Sequence, residues 1–192
     1  MVEHGYTMIF ERRRVIALAL IAEGGVLLLA AFLSGLLRLD LVFVSKRLWY
    51  DCVVAFGLTL PPLLLFILSM SKKALSLSFL RELRQFVVNN IKGMFSQTTF
   101  VDIFFICVLA GISEEALFRG VIQAKLGIIW ASVIFGLLHF ITPAYFIFAT
   151  AMGFYLGWVF VLTNGLFVPI LIHFLYDFGA LVYLKYYVKD DG

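Results

Sequence analysis

Six ionisable side chains carry the chemistry of this chain, and all six stand in apolar stretches. Glu114, Glu115 and Arg119 lie in one stretch, His139 in the next, and His173 and Asp177 in the last. A charged group at mid-membrane costs about 2.5–3.5 kcal/mol on insertion scales, so residues of this kind are functional candidates by default. The remaining histidine, His4, sits in the polar N-terminal segment and reads as solvated. A carboxylate can take a proton from water, and imidazoles can share that proton or stabilise an oxyanion. No serine or cysteine stands as an obvious nucleophile, so water is the expected one. The same residue types also suit a polar network that only holds helices together, or a path for protons or ions. Residue types alone leave all three uses open.

Spacing sorts these residues by face and by depth. Glu115 and Arg119 are four apart and can pair along a helix, whereas Glu114 points about a third of a turn away and is the free carboxylate. His173 and Asp177 are also four apart, and Phe135 precedes His139 by the same interval. Glu115 precedes Gly127 by about twelve residues, His139 follows it by about twelve, and Asp177 follows Gly165 by about twelve, which places all three about 18 Å from one membrane face. They share a layer, with His173 one turn shallower. Polar residues scattered at random over antiparallel helices need not align in this way, so a single buried site is expected.

The elements that must hold this site are transmembrane helices. Of 192 residues, 63% are hydrophobic and 14% charged, with 21 Phe and 8 Tyr. A soluble chain is about half apolar and a quarter charged, so a cytosolic enzyme, a disordered tail and a nucleic-acid reader are excluded. The reading is an all-α, polytopic helical bundle with about six spans and one interfacial amphipathic helix. It forms a single integral membrane domain over 1–192, divided into two spans plus an interfacial segment (1–99) and a four-helix catalytic core (100–188). The spans run from Val15 to Leu37, Cys52 to Met70, Phe100 to Leu126, Ile128 to Ile141, Ala144 to Thr163 and Phe167 to Val188. The first is longer than a signal-peptide core and reads as retained. Pro61 and Pro62 predict a kink in the second. Gly127, Pro143 and Asn164-Gly165 mark turns.

Between Ser71 and Thr99, Lys72, Lys73, Arg81, Arg84 and Lys92 alternate with Leu75, Phe79, Leu80, Leu83, Phe86 and Val87, as in a helix lying in the headgroup region. An ordinary basic loop is the other reading of that pattern. The net charge of +3 comes from membrane flanks rather than a polyanion site. Arg12, Arg13, Arg14 and the basic segment after the second span put both termini in the cytoplasm, against the opposing weight of Arg38, Lys46 and Arg47. Trp49, Tyr50, Trp130 and Trp158 fit an aromatic belt. Cys52 and Cys107 read as small hydrophobes. Glu23 could gate a substrate path or make an inter-helical bond, and Asp51 and Asp102 read as interfacial.

Glu114-Glu115-Ala-Leu-Phe-Arg119, Phe135-Gly-Leu-Leu-His139 and His173-Phe-Leu-Tyr-Asp177, in that order on successive spans, resemble the CAAX-prenyl endopeptidase and bacteriocin-processing (CPBP, or Abi) family of glutamate-type membrane proteases. The resemblance covers Phe100 to about Lys185. It implies a multi-pass protein, of the cell membrane, that needs no metal or cofactor and acts on a membrane-associated protein or peptide. Carried over by position, it implies that Glu114 and His139 activate water, that His173 and Asp177 form the oxyanion site, and that Glu115 and Arg119 brace the helix. The departure is Asp177, because asparagine is the better-understood residue there and an ionised aspartate cannot donate to an oxyanion. The family also holds members assigned to immunity or sorting, so a non-enzymatic membrane binding or scaffold protein is the alternative. Glu114, His139 and His173 are also the ligand types of a zinc site with Asp177 behind them. No H-E-x-x-H helix is present, and the resemblance implies chemistry without metal.

Overall fold

The computed structural model describes residues 10–43, 45, 47–71 and 76–189. The readings made on His4, Lys46, Lys72, Lys73 and Leu75 lie outside them. Seven α-helices follow one another among the described residues: α1 (Arg12–Leu37), α2 (Leu48–Ser69), α3 (Ser78–Phe86), α4 (Phe100–Glu115), α5 (Ala124–Leu138), α6 (Pro143–Thr163) and α7 (Phe167–Tyr186). Two π-helical segments extend them. Val87–Lys92 continues α3, and Ala116–Gln123 carries α4 into α5. The protein is thus all-helical, as its composition requires.

Among the described residues, five helical stretches are long and apolar enough to cross a membrane, and the third runs from Phe100 to Leu138. That stretch is broken at Gly127, whose φ of 81° and ψ of 170° lie where essentially only glycine is comfortable. The chain therefore doubles back, and Glu114 on one limb comes level with His139 on the other. The return limb, residues 128–138, provides only about 16 Å of helix at 1.5 Å per residue. This fourth segment is shorter than the span expected from Ile128 to Ile141, because the helix stops at Leu138 although the apolar run continues through Phe140 and Ile141. Its short length leaves His139 half-buried at a helix end, level with Glu114.

Lipid-facing and protein-facing sides differ as the bilayer demands. On α1, Leu18, Ile21, Leu28 and Phe32 are exposed while Val15, Ala30 and Ser34 are buried. All four belt aromatics, Trp49, Tyr50, Trp130 and Trp158, are exposed. The proline pair lies inside an α2 that stays helical from Leu48 to Ser69. The segment after α2 is amphipathic as expected, but one side is drawn into the protein: Leu83, Arg84, Val87 and Val88 are buried, and Arg84 Nε donates to the Met70 carbonyl at 3.0 Å.

Ties between sequence-distant ends hold the bundle together. Thr99 and Asp102 form a capping box at the start of α4, and Asp102 also accepts from Arg12 Nε at 2.6 Å and Nη2 at 2.9 Å. Lys185, near the end of α7, donates to the carbonyls of Phe95 at 3.0 Å, Ser96 at 2.8 Å and Thr98. Lys92 returns the contact by donating to the Val188 carbonyl at 2.7 Å. The loop before α4 is thereby fastened to the last helix. α7 packs on both α2 and α4, and α5 packs on α6.

Candidate active site

Three elements meet at the polar layer. Glu114 and Glu115 are the last two residues of α4, at its junction with a π-helical segment, and such junctions recur at functional sites. His139 caps the short α5, and His173 and Asp177 stand on successive turns of α7. The two adjacent glutamates have different surroundings. Glu115 is fully buried, with Oε1 2.8 Å from His173 Nδ1 and Oε2 3.1 Å from Arg119 Nε. Glu114 borders the cavities and keeps 13% of its side-chain surface. Its Oε1 is 3.9 Å from His139 Nε2 and its Oε2 is 3.8 Å from His173 Nε2. Both separations are too long for a direct hydrogen bond, so neither imidazole satisfies the Glu114 carboxylate directly.

Each imidazole is aimed by its other nitrogen. His139 Nδ1 is 2.8 Å from the Phe135 carbonyl, and the ring stacks on Phe135 with centroids 4.4 Å apart, so Nε2 faces Glu114. His173 Nδ1 is occupied by Glu115, so its Nε2 faces Glu114 and Asp177, the latter at 3.3 Å from Oδ2. Phe135 also lies edge-on to His173, 6.3 Å between centroids, and beneath the Arg119 guanidinium at 5.2 Å. One phenyl ring therefore contacts both histidines and the arginine.

Arg119 is 1% exposed and also donates from Nη2 to the Gly153 carbonyl at 3.2 Å. One turn on, Gln123 Nε2 donates to the Gly157 carbonyl at 2.9 Å. The Gly153-x-x-x-Gly157 pair thus presents two carbonyls to two side chains four residues apart. A Cβ on Gly153 would lie 2.9 Å from Ser132 Cα, so the absence of a side chain is what lets α5 and α6 approach.

All six residues singled out by sequence converge here, and the Glu115–Arg119 and His173–Asp177 pairs expected from spacing are both present. Sequence reasoning missed the bond from Glu115 to His173, which joins helices that no local spacing relates. Glu23 takes the inter-helical role, accepting from Ser113 Oγ at 2.6 Å beside Glu114. Two cavities adjoin the site. The larger, about 260 Å³, is bounded by Glu23, Glu114 and Asp177 and is otherwise lined by apolar and tyrosine side chains. The smaller, about 100 Å³, contains His139 and His173. Tyr145, Phe148 and Tyr176 line both; nothing in their spacing marked them, since aromatic residues are common throughout the chain.

The architecture and this constellation define a multi-pass membrane protein with a buried two-glutamate, two-histidine site. Residues 96–179 match the model of the Type II CAAX prenyl endopeptidase Rce1-like family, which bears out the family resemblance read from the three motifs. At family level the match supports a CAAX-type membrane protease. The uncharacterized protein YpbD of Bacillus subtilis (strain 168) is 42% identical over 89 residues, covering 45% of this chain and 47% of the relative. The similarity therefore spans about half the length of that curated relative. No solved structure matches the chain.

Proposed function

We propose that the protein is an intramembrane endopeptidase that hydrolyses a peptide bond of a membrane-associated protein or peptide with water activated by Glu114 and His139. The observation that carries the reading is the position of the Glu114 carboxylate. It is the less buried of the two glutamates, borders both cavities, and has an imidazole Nε2 just beyond hydrogen-bond distance of each oxygen. A water held between Glu114 and His139 gives up a proton to the carboxylate as it attacks the substrate carbonyl, and the protonated Glu114 then passes that proton to the amide nitrogen as the intermediate collapses and the C–N bond breaks. His173 Nε2 is the donor toward the oxyanion that forms, and Asp177 favours the proton on that nitrogen. Glu115 and Arg119 fix the His173 ring from the opposite side.

The test compares membrane proteomes carrying wild-type protein and Glu114→Gln. Precursors that lose processing in the variant support the reading; unchanged proteomes, with the variant still binding a membrane partner, support a binding or scaffold protein instead. Chelator treatment of the purified enzyme is a second arm. Loss of cleavage restored by zinc shows that the hydrolysis needs a metal and overturns the water-activation reading.

A further inference from the structure

A lipid-facing cleft of about 670 Å³ lies between α2 and α6, with α3 across one end. Leu65 and Phe79 are exposed on its walls, and Ala151, a small exposed residue, lies on the α6 side. The cleft shares side chains with the cavities around Glu114. Phe148 lines all three, Met152 also lines the smaller cavity, and Leu83 the larger. Lipid-facing space and the proposed catalytic space are thus divided by side chains.

The cleft's closed end has a cause in the sequence. Pro62 has no N–H, so the Leu58 carbonyl four residues earlier loses its helical donor. Tyr155 Oη donates to that carbonyl instead, at 2.5 Å. This bond ties α6 to α2. Breaking it leaves a carbonyl that the helix itself cannot satisfy, so the tie is favoured yet consists of a single side chain.

Resting on the peptidase reading, we infer that the cleft seats a membrane-embedded helix of the protein substrate and that Tyr155 latches it. The occupant required by the peptidase reading is a polypeptide, and because the lining is almost entirely apolar that polypeptide must bring its backbone already hydrogen-bonded, which in a bilayer means a helix. A helical turn about 10 Å wide and 5.4 Å high fills about 400 Å³, so the cleft takes more than one turn. Ala151 permits the close approach that small residues provide between membrane helices.

The test uses the precursors that accumulate in Glu114→Gln membranes. Ala151→Trp and Leu65→Trp fill the cleft from opposite walls at exposed positions. Each is expected to slow processing of helix-anchored precursors about tenfold, while a peptide spanning the same bond but lacking the helix is cut in detergent at the wild-type rate. Tyr155→Phe releases the latch and is expected to speed the anchored reaction about threefold, the effect of one modest hydrogen bond, with the free peptide unchanged. Wild-type processing by both tryptophan variants, or equal slowing of anchored and free substrates, overturns the inference and leaves the peptidase reading standing. Slowing of an acylated, helix-free peptide by Ala151→Trp overturns the helix as occupant in favour of a hydrocarbon chain. The absence of any precursor in Glu114→Gln membranes removes the peptidase reading itself, and this inference with it.

Discussion

Arg119 is what separates the two adjacent glutamates. It reaches Glu115 at 3.1 Å and, with His173, completes a buried three-residue chain in which the carboxylate has a partner on each oxygen. Glu115→Gln removes the charge opposing a guanidinium that is 1% exposed, and breaking such a pair costs about 3–5 kcal/mol. Its expected outcome is reduced abundance and a lowered melting temperature in detergent. Glu114→Gln is expected to keep wild-type thermal stability while abolishing processing; equal stability losses at the two positions would return the site to a purely structural role. Asp177 allows a sharper contrast. Because Glu115 holds Nδ1 of His173, the proton on Nε2 depends on Asp177, 3.3 Å away. Asp177→Asn is therefore expected to cut the cleavage rate about a hundredfold or more, as loss of an oxyanion donor does. An amide variant with most of its activity intact would show that position 177 donates directly. Much at this scale was legible in the sequence, because four-residue spacing relates Glu115 to Arg119 and His173 to Asp177. The Glu115–His173 bond was not, since it depends on how α4 and α7 pack.

Two glycines make contrasting demands on their elements. Gly127, with φ 81° and ψ 170°, lies outside the left-handed helical region that asparagine tolerates, whereas Asn164, with φ 51° and ψ 40°, lies inside it. Gly127→Asn is therefore expected to destabilise about as much as Gly127→Ala, roughly 1–3 kcal/mol, measurable by thermal unfolding in detergent. Gly153 is constrained by a neighbour instead. A methyl there meets Ser132 backbone, which cannot turn aside, whereas the nearest atoms to one on Gly157 belong to the side chains of Gln123 and Ile128. Gly153→Ala should cost about 1–3 kcal/mol and Gly157→Ala less, because flexible side chains relax where backbone does not. The turns at Gly127, Pro143 and Asn164-Gly165 were readable from residue type. The early end of α5 was not, because Phe140 and Ile141 prolong the apolar run past the helix and hydropathy does not register where hydrogen bonding stops.

At the scale of the whole molecule, hydropathy was enough to establish an all-helical, multi-pass protein, and the distribution of basic residues yields an expectation about its sidedness. With Arg12, Arg13 and Arg14 in the first turn of α1 and Arg81, Arg84 and Lys92 after α2, both termini should be cytoplasmic and the turn at Asn164-Gly165 outside. Reporter tags at these points check it, and a tag after Val188 reached only from the outer face would reverse the assignment. The fastening of the loop before α4 by Lys185 also bears on how the protein is made. Until the last helix has been synthesised, the carbonyls of Phe95, Ser96 and Thr98 lack that donor, and Glu115 has Arg119 but not His173. The nascent chain can therefore thread its earlier helices in order, but it reaches its final assembly only late in translation. A chain truncated before α7 is left with those loop carbonyls without their donor and with a buried carboxylate that has one partner in place of two.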